Sequence, residues 1–332
     1  MAQPTLRFNF REPEVDTNRP FTDGTVKVEG FDLQVTTRVE RLGPTAQYVG
    51  ISADAAEGEP DARDVGFAEL LERKDKGDRF VCIPAFPNRK FRHSYIFVNS
   101  QAGIDSPKDL EGKRVAISGW ANTAGLWARG ALQDYYGVDL TRITWFAARP
   151  NASRVAEGIK IERLEKAGMA VLDDLLVSGE MDGVIIPDTL PSITKRDPRV
   201  RRLFSDCKTE EQTYFQESGI FPISHIVTLT QDFVDQYPEA PVALLNAYRQ
   251  ARHVALDRIE GADPCVVTLP WASALMAEQR ELMGEMYWAY NVETNRHVLD
   301  AATRFAHQQG LTANRLDYAS FFDPAAAALP GA

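Results

Sequence analysis

Two histidines stand beside sequence that is typical of buried β-strands. His93 precedes the strand-forming run 95–98, and His225 precedes the apolar run 226–229. In α/β proteins, ligands bind at the ends of strands and in the crevices beside them. An ordinary imidazole has a pKa of about 6.5, so it can hold and deliver a proton at neutral pH. We therefore interpret His93 and His225 as candidate acid-base residues; the alternative is an imidazole that caps a loop by hydrogen bonding.

A pair of arginines lies in the same stretch, "NRKFRHSYIFVNS" (88–100). Arg89 and Arg92 are three residues apart, with Lys90 between them. Guanidinium groups suit carboxylates because they can donate two parallel hydrogen bonds. The chain as a whole carries a formal net charge of -10, which argues against a nucleic-acid partner. Arg89 and Arg92 are therefore expected to clamp a small anion, the alternative being a solvated basic loop.

A third candidate region, "SGWANTAGLWARG" (118–130), is predicted to turn from a strand into a helix. The first turn of a helix offers free N–H groups to an anion. Asn122 or Thr123 is expected either to cap this helix or to donate directly to a ligand. Trp120 and Trp127 are candidates for the walls of a site that holds a planar ligand.

The elements that must position these residues alternate between strands and helices, which predicts an α/β fold with mostly parallel sheets. The length of 332 residues suits two lobes of roughly 100–200 residues each. Strands are predicted at 6–10, 31–39, 80–84, 95–98, 114–118, 143–146, 184–186 and 219–229, and helices at 67–74, 126–136, 171–177, 240–259 and 298–307.

The composition also indicates the cellular compartment of the protein and the kinds of partner to expect. The three cysteines, Cys82, Cys207 and Cys265, form no C-x-x-C motif, which is typical of a reducing compartment. We find neither a secretory signal nor an apolar run of about 18 residues, so a cytoplasmic protein without a membrane partner is expected. A homo-oligomer is expected.

Four longer stretches carry a resemblance to a known family, the 4,5-dihydroxyphthalate decarboxylases. They are "IPAFPNRKFRHSYIFV" (83–98), "GKRVAISGWANTAGLWARGALQDYYGV" (112–138), "RVRRLFSDCKTEEQTYFQESGIFPISH" (199–225) and "NRHVLDAATRFAHQQGL" (295–311). Residues 36–61 match this family less well and are interpreted as an insertion or a divergent loop.

The resemblance implies the type II periplasmic-binding-protein fold, in which two α/β lobes joined by two crossover strands hold a ligand in the cleft between them. Residues 1–100 and 226–332 would form lobe 1, and residues 101–225 would form lobe 2. The crossovers would then fall near Val98 and His225.

The resemblance also implies a carboxy-lyase that converts a hydroxylated aromatic dicarboxylic acid, such as 4,5-dihydroxyphthalate, to protocatechuate in phthalate degradation. Arg89 and Arg92, with the amides near Thr123, would hold carboxylates. His93 or His225 would protonate the ring while the other imidazole binds the phenolic oxygens.

Asp188 and Tyr214 are further candidates for polar contacts with such a substrate. No cofactor is expected; a divalent metal ion held by His93, His225 and a catecholic substrate is the alternative. Two other functions stay open, a solute-binding protein of a transporter for a small organic acid and a lyase that acts on another cyclic acid.

Overall fold

The computed structural model describes residues 2–36, 60–147, 154–166, 168–261 and 267–331. Most of the divergent segment, residues 37–59, lies outside the described residues. Within the described ranges, no helix combines the length and the apolar character needed to cross a membrane.

Strands and helices alternate through much of the chain, as expected. The strands are β1 (Thr5–Asn9), β2 (Asp32–Val35), β3 (Ala62–Gly66), β4 (Phe80–Ile83), β5 (Ile96–Asn99), β6 (Arg114–Ile117), β7 (Thr144–Ala147), β8 (Lys160–Arg163), β9 (Gly183–Ile185), β10 (Val200–Arg202) and β11 (His225–Thr230). The helices are α1 (Arg19–Thr22), α2 (Phe67–Asp75), α3 (Thr123–Asp134), α4 (Met169–Ser178), α5 (Pro191–Thr194), α6 (Cys207–Ser218), α7 (Gln231–Gln236), α8 (Ala240–Glu260), α9 (Ala272–Met283), α10 (Val292–Gln308) and α11 (Pro324–Ala327).

These strands form two separate sheets. One has five strands in the order β2-β1-β3-β11-β4, and the other has six in the order β10-β5-β9-β6-β7-β8. Strands β1, β2 and β3 run parallel, as do β6, β7, β8 and β9. Strands β11 and β5 pair antiparallel with their neighbours. The predicted α/β class is confirmed, with two mixed sheets.

The chain passes twice between the sheets, through residues 84–95 and 203–224. These two connections pair with each other: the N–H of Ser224 donates to the carbonyl of Asn88 at 2.8 Å, and the N–H of Lys90 donates to that of Pro222 at 3.1 Å. Strand β5 belongs to the six-stranded sheet, whereas the sequence analysis placed residues 96–99 in lobe 1. An apolar run predicts a buried strand, but it does not identify the sheet that the strand joins.

Helix α10, near the C-terminus, packs closely on α3. A Cβ atom at Gly130 of α3 would lie 2.2 Å from the ring of Phe305 on α10, so only glycine allows this approach. Beyond α10, the carbonyl of Gln309 accepts a hydrogen bond from the indole of Trp120 at 2.9 Å. Helix α10 is therefore fastened to the helix that begins at Thr123.

Replacing Gly130 with alanine is expected to lower the free energy of unfolding by about 1–3 kcal/mol, because the added methyl group overpacks this contact. In an open helical site the same change would raise stability. The measurement is urea unfolding, with Gln133→Ala on the exposed side of α3 as the control. A Gly130→Ala protein as stable as the wild type would contradict the packing described here.

Candidate active site

Five residues meet where β1 and β3 end, and we call them the strand-end cluster: Arg11, Gly66, Arg92, Thr123 and His225. Strand β11 is antiparallel to β3, and His225 pairs directly with Gly66. A Cβ atom at Gly66 would lie 3.0 Å from Oγ1 of Thr123 and 3.5 Å from Nη1 of Arg11. The backbone of Gly66 therefore lies directly against the Thr123 hydroxyl and the Arg11 guanidinium, with His225 as its partner on the neighbouring strand, and a side chain at this position would crowd both groups.

Arg92 lies in this cluster as a buried cation, with only 6% of its surface exposed. Its Nη2 donates to Oγ of Ser224 at 2.5 Å, and its Nε has no partner among the described residues. Burial lowers the pKa of Arg92 to about 10. A buried cation is costly without a counter-ion, so a bound carboxylate would offset the cost.

Asp188 follows β9 and is exposed. Its negative charge acts to raise the pKa of Arg92, as do those of Glu12 and Glu211. No ion pair joins Arg92 to a carboxylate in the part of the chain that the structure describes. Asp188 therefore lies within electrostatic reach of the cluster without neutralising its central cation.

His225 is a neutral imidazole in this environment. Burial, together with the positive charges of Arg11 and Arg92, lowers its pKa to about 3. Its Nδ1 is buried and has no partner among the described residues. This corrects the expectation of an ordinary pKa near neutrality. A carboxylate bound between the two arginines would oppose their effect and raise the pKa of His225.

His93 lies in a different group of residues. Its ring packs against Tyr136, Phe204 and Tyr214, with centroid distances of 5.8, 5.4 and 4.8 Å. Both ring nitrogens are buried without partners in the described part of the chain. Burial lowers the pKa of His93 to about 4, so it too is neutral at pH 7. The structure therefore places Tyr214 with His93 in an aromatic cage, and no ring contact joins His93 to His225 in the described part of the chain.

The cage predicts an acid-dependent loss of stability. The pKa of His93 falls from 6.5 to about 4 on folding, so the unfolded chain binds more protons between these values. Its contribution is present above pH 6.5 and is lost as the pH falls, by up to about 3 kcal/mol. Urea unfolding at pH 7 and pH 4.5 should show a smaller difference for His93→Leu than for the wild type. The control is the same replacement at the exposed His253. A difference in the free energy of unfolding between the two pH values that is as large in His93→Leu as in the wild type would contradict the prediction.

Arg89, the other predicted clamp residue, is engaged elsewhere. Its Nη1 donates to Oδ1 of Asn295 at 2.8 Å, its Nη2 donates to the carbonyl of Phe221, and its guanidinium stacks on the Phe221 ring at 4.5 Å. Burial lowers its pKa to about 9. The spacing of Arg89 and Arg92 in the sequence predicts that both hold one anion. In the structure, Arg89 instead joins α10 to the second connection, residues 203–224. Arg11 takes the second cationic position in the cluster.

The two predicted tryptophans are core side chains. Trp127 donates its indole N–H to the carbonyl of Ile223 at 2.7 Å, and one face of Trp120 is covered by the guanidinium of Arg129 at 3.9 Å. Both are almost fully buried. The structure thus uses both indoles for packing, in place of the predicted walls of a ligand site.

At the start of α3, Asn122 acts as the helix cap, since its Oδ1 accepts the N–H of Gly125 at 3.1 Å. Thr123 makes a connection that the sequence did not reveal: its Oγ1 accepts the N–H of Ala68, in the first turn of α2, at 3.1 Å. The first turns of α2 and α3 therefore meet beside Gly66. Backbone N–H groups at such a junction favour an anion.

Arg11 and Gly66 are the residues of this cluster that the sequence analysis missed. Arg11 follows β1 after one residue, a position that marks it as a strand-end cation, but it falls just after the predicted strand 6–10, where no candidate residue was named. The role of Gly66 depends on its pairing with His225, more than 150 positions along the chain. Nothing in the local sequence signals that pairing.

The alternative to catalysis without a cofactor is a divalent metal ion held by His93, His225 and a catecholic substrate. Among the described residues, no three His, Cys, Asp or Glu side chains are grouped as metal ligands. The expectation of catalysis without a cofactor stays a prediction.

Solved structures confirm the fold. The periplasmic aliphatic sulphonate binding protein SsuA from Escherichia coli has a TM-score of 0.56 at 14% identity, covering 97% of this chain and 98% of that one. The desulfurization enzyme DSZB has a TM-score of 0.51 at 14% identity, covering 98% of each chain. The chain thus has the two-lobe fold of periplasmic binding proteins, a fold that carries both a binding protein and an enzyme.

Sequence comparison identifies the family. No family model matches the chain. The 4,5-dihydroxyphthalate decarboxylase of Comamonas testosteroni is 30% identical, covering 96% of this chain and 97% of that protein. The enzyme of the same name from Pseudomonas putida is 32% identical over 200 residues, which are 57% of this chain and 73% of that protein. The chain belongs to the 4,5-dihydroxyphthalate decarboxylase family, a family of carboxy-lyases.

Proposed function

We propose that this protein decarboxylates 4,5-dihydroxyphthalate, or a close hydroxylated aromatic dicarboxylate, at the strand-end cluster. The observation that carries the proposal is a buried Arg92, with no carboxylate partner among the described residues, beside a neutral His225, with Arg11 against Gly66 in the same cluster. This combination suits a dianion. The names of the two relatives support the same substrate class.

The chemistry needs an electron sink, because direct loss of CO2 from an aromatic ring would leave an aryl carbanion. A hydroxyl para to the departing carboxylate supplies the sink. The phenol gives up its proton while the ring carbon that bears the carboxylate gains one, which forms a dienone. The C–C bond then breaks, its electron pair restores the aromatic ring, and the carbonyl oxygen becomes a phenolate that is protonated again. One proton is consumed and CO2 is released.

Each member of the cluster has a part in this proposal. Arg92 and Arg11 hold the carboxylates, and the first turn of α3 at Thr123 offers backbone N–H groups to the same anion. His225 transfers the proton to the ring carbon, because the bound dianion raises its pKa from the low value of the empty site. Asp188, three residues after β9, accepts the hydrogen bond of the phenol.

The other components of the proposal follow from the same substrate. The partner is a small anionic aromatic molecule, and the reaction proceeds without an organic cofactor because the ring hydroxyl supplies the electron sink. We place the protein in the cytoplasm, in phthalate degradation, as a homo-oligomer.

The test is incubation of the purified protein with 4,5-dihydroxyphthalate, with protocatechuate followed by chromatography and CO2 by trapping. Phthalate, which lacks both hydroxyls, serves as the control and should bind without turnover. Catalytic formation of protocatechuate is the expected result. Tight binding of 4,5-dihydroxyphthalate without any product would contradict the proposal and favour a solute-binding protein, the role of SsuA in the same fold.

A further inference from the structure

A buried carboxyl group lies behind the strand-end cluster. Asp64 is in β3 between β1 and β11, with 2% of its surface exposed. Its Oδ1 accepts the backbone N–H of Arg11 at 2.6 Å, and its Oδ2 accepts the side-chain N–H of Asn18 at 3.1 Å. Both oxygens of this carboxyl are therefore directed at the segment that follows β1.

Asn18 completes the connection. Its Nδ2 also donates to the carbonyl of Glu12 at 3.0 Å, and its Oδ1 lies 3.4 Å from the hydroxyl of Tyr248. The N–H of Arg11 and the C=O of Glu12 are thus held by the same pair of buried side chains. We call Asp64 and Asn18 the buried bracket.

The side chain of Arg11 depends on this support. It is 42% exposed, and its Nη1 pairs with the equally exposed Glu69 at 3.0 Å. A surface ion pair of this kind orients a side chain weakly. The direction in which the guanidinium leaves the backbone is therefore set mainly by the position of the Arg11 backbone, which the buried bracket fixes.

The position of Asp64 is unfavourable for packing alone. Burial raises its pKa to about 7, and the negative charge of Glu12 acts in the same direction, against the hydrogen bonds from Arg11 and Asn18. A carboxyl group buried in a core costs stability that an apolar residue would not cost, so its presence points to a purpose other than packing. Here the purpose that the geometry offers is to place Arg11.

We propose that Asp64, acting with Asn18, is a positioning residue that sets Arg11 at the strand-end cluster and so determines the affinity for the anionic substrate. This inference rests on the proposed function. Asp64 itself touches no substrate, so its effect is expected on binding and KM, with kcat little changed. Asp64→Asn keeps one carbonyl oxygen and should show a mild effect, whereas Asp64→Leu leaves two buried donors unpaired and should show a larger one.

The experiment measures the dissociation constant of phthalate by calorimetry, and KM and kcat for 4,5-dihydroxyphthalate, in the wild type, Asp64→Asn, Asp64→Leu, Arg11→Ala and the Asp64→Asn/Arg11→Ala double variant. Asp64→Leu should weaken phthalate binding about tenfold or more. In the Arg11→Ala background, Asp64→Asn should have no further effect, because the two residues act through one contact. If Asp64→Leu does not fold, the comparison of Asp64→Asn, Arg11→Ala and the double variant still tests the inference.

A matched control is available in the same sheet. Asp61 accepts the backbone N–H of Arg7 at 2.8 Å, a bond of the same kind in the middle of β1. Asp61→Asn should alter stability without changing KM. The inference would be overturned if Asp64→Asn had the same effect with and without Arg11, or if both Asp64 variants bound phthalate with wild-type affinity. Either result would leave the proposed function intact. A wild-type protein that neither binds phthalate nor converts 4,5-dihydroxyphthalate would overturn both.

Discussion

Replacing Arg92 with methionine is expected to lower kcat/KM for 4,5-dihydroxyphthalate by about 100-fold or more. Methionine keeps an unbranched apolar stem and removes the guanidinium, with its charge and its donors. Loss of one partner from a buried, hydrogen-bonded charge pair costs about 2–5 kcal/mol, and each 1.36 kcal/mol is about tenfold in rate. Steady-state kinetics measures this effect, and a thermal unfolding scan checks that the variant is folded.

Two neighbouring cations give matched controls for Arg92. Lys90→Met removes an exposed charge two positions away and should leave kcat/KM close to that of the wild type. Arg89→Met removes the hydrogen bonds to Asn295 and Phe221, so its main expected effect is a lower free energy of unfolding, with a smaller effect on KM. If Arg89→Met abolished substrate binding while Arg92→Met retained it, the assignment of the anion clamp would be wrong.

Replacing His225 with asparagine is expected to lower kcat by about 10²–10⁴, the usual contribution of a residue that transfers a proton in the transition state. His93→Asn should keep most of kcat, because His93 lies in the aromatic cage with Tyr136, Phe204 and Tyr214. The measurement is the initial rate at saturating substrate. Loss of activity in His93→Asn with full activity in His225→Asn would reverse the assignment.

The low pKa of His225 adds a pH signature to this comparison. In the free protein its pKa is about 3, so His225 should produce no inflection in kcat/KM near neutral pH. In the complex, the bound dianion raises that pKa, and kcat should show an inflection at higher pH than kcat/KM does. The inflection in kcat is expected to disappear in His225→Asn.

Several elements were predictable because one local signal decides each of them. The apolar runs at β4, β5 and β6 predicted strands, and the Asn122 cap with the following apolar run predicted α3. Helices α6 and α9 escaped prediction. Among the described residues, α6 buries Tyr214 and α9 buries no side chain. Neither helix therefore shows a strong apolar stripe in its sequence.

The candidate site was predictable only in part. Residue type and position at a strand end identified Arg92, Thr123 and His225 as candidates. Arg11 and Gly66 became visible only through strand pairing between distant parts of the chain, as in the pair Gly66 and His225. That Arg92 joins the cluster while the ring of His93 packs in the aromatic cage depends on which way two consecutive side chains point, and the pKa values of both histidines depend on burial. A sequence does not encode these quantities in any short pattern.

The most direct test of the strand-end cluster as the reaction site is a crystal structure of the protein with phthalate, which has both carboxylates and lacks the hydroxyls that decarboxylation requires. We predict one carboxylate within hydrogen-bond distance of Arg92 and Thr123, the other at Arg11, and the ring beside His225. Phthalate bound in the aromatic cage of His93, or at any place where it touches neither Arg92 nor His225, would contradict this account.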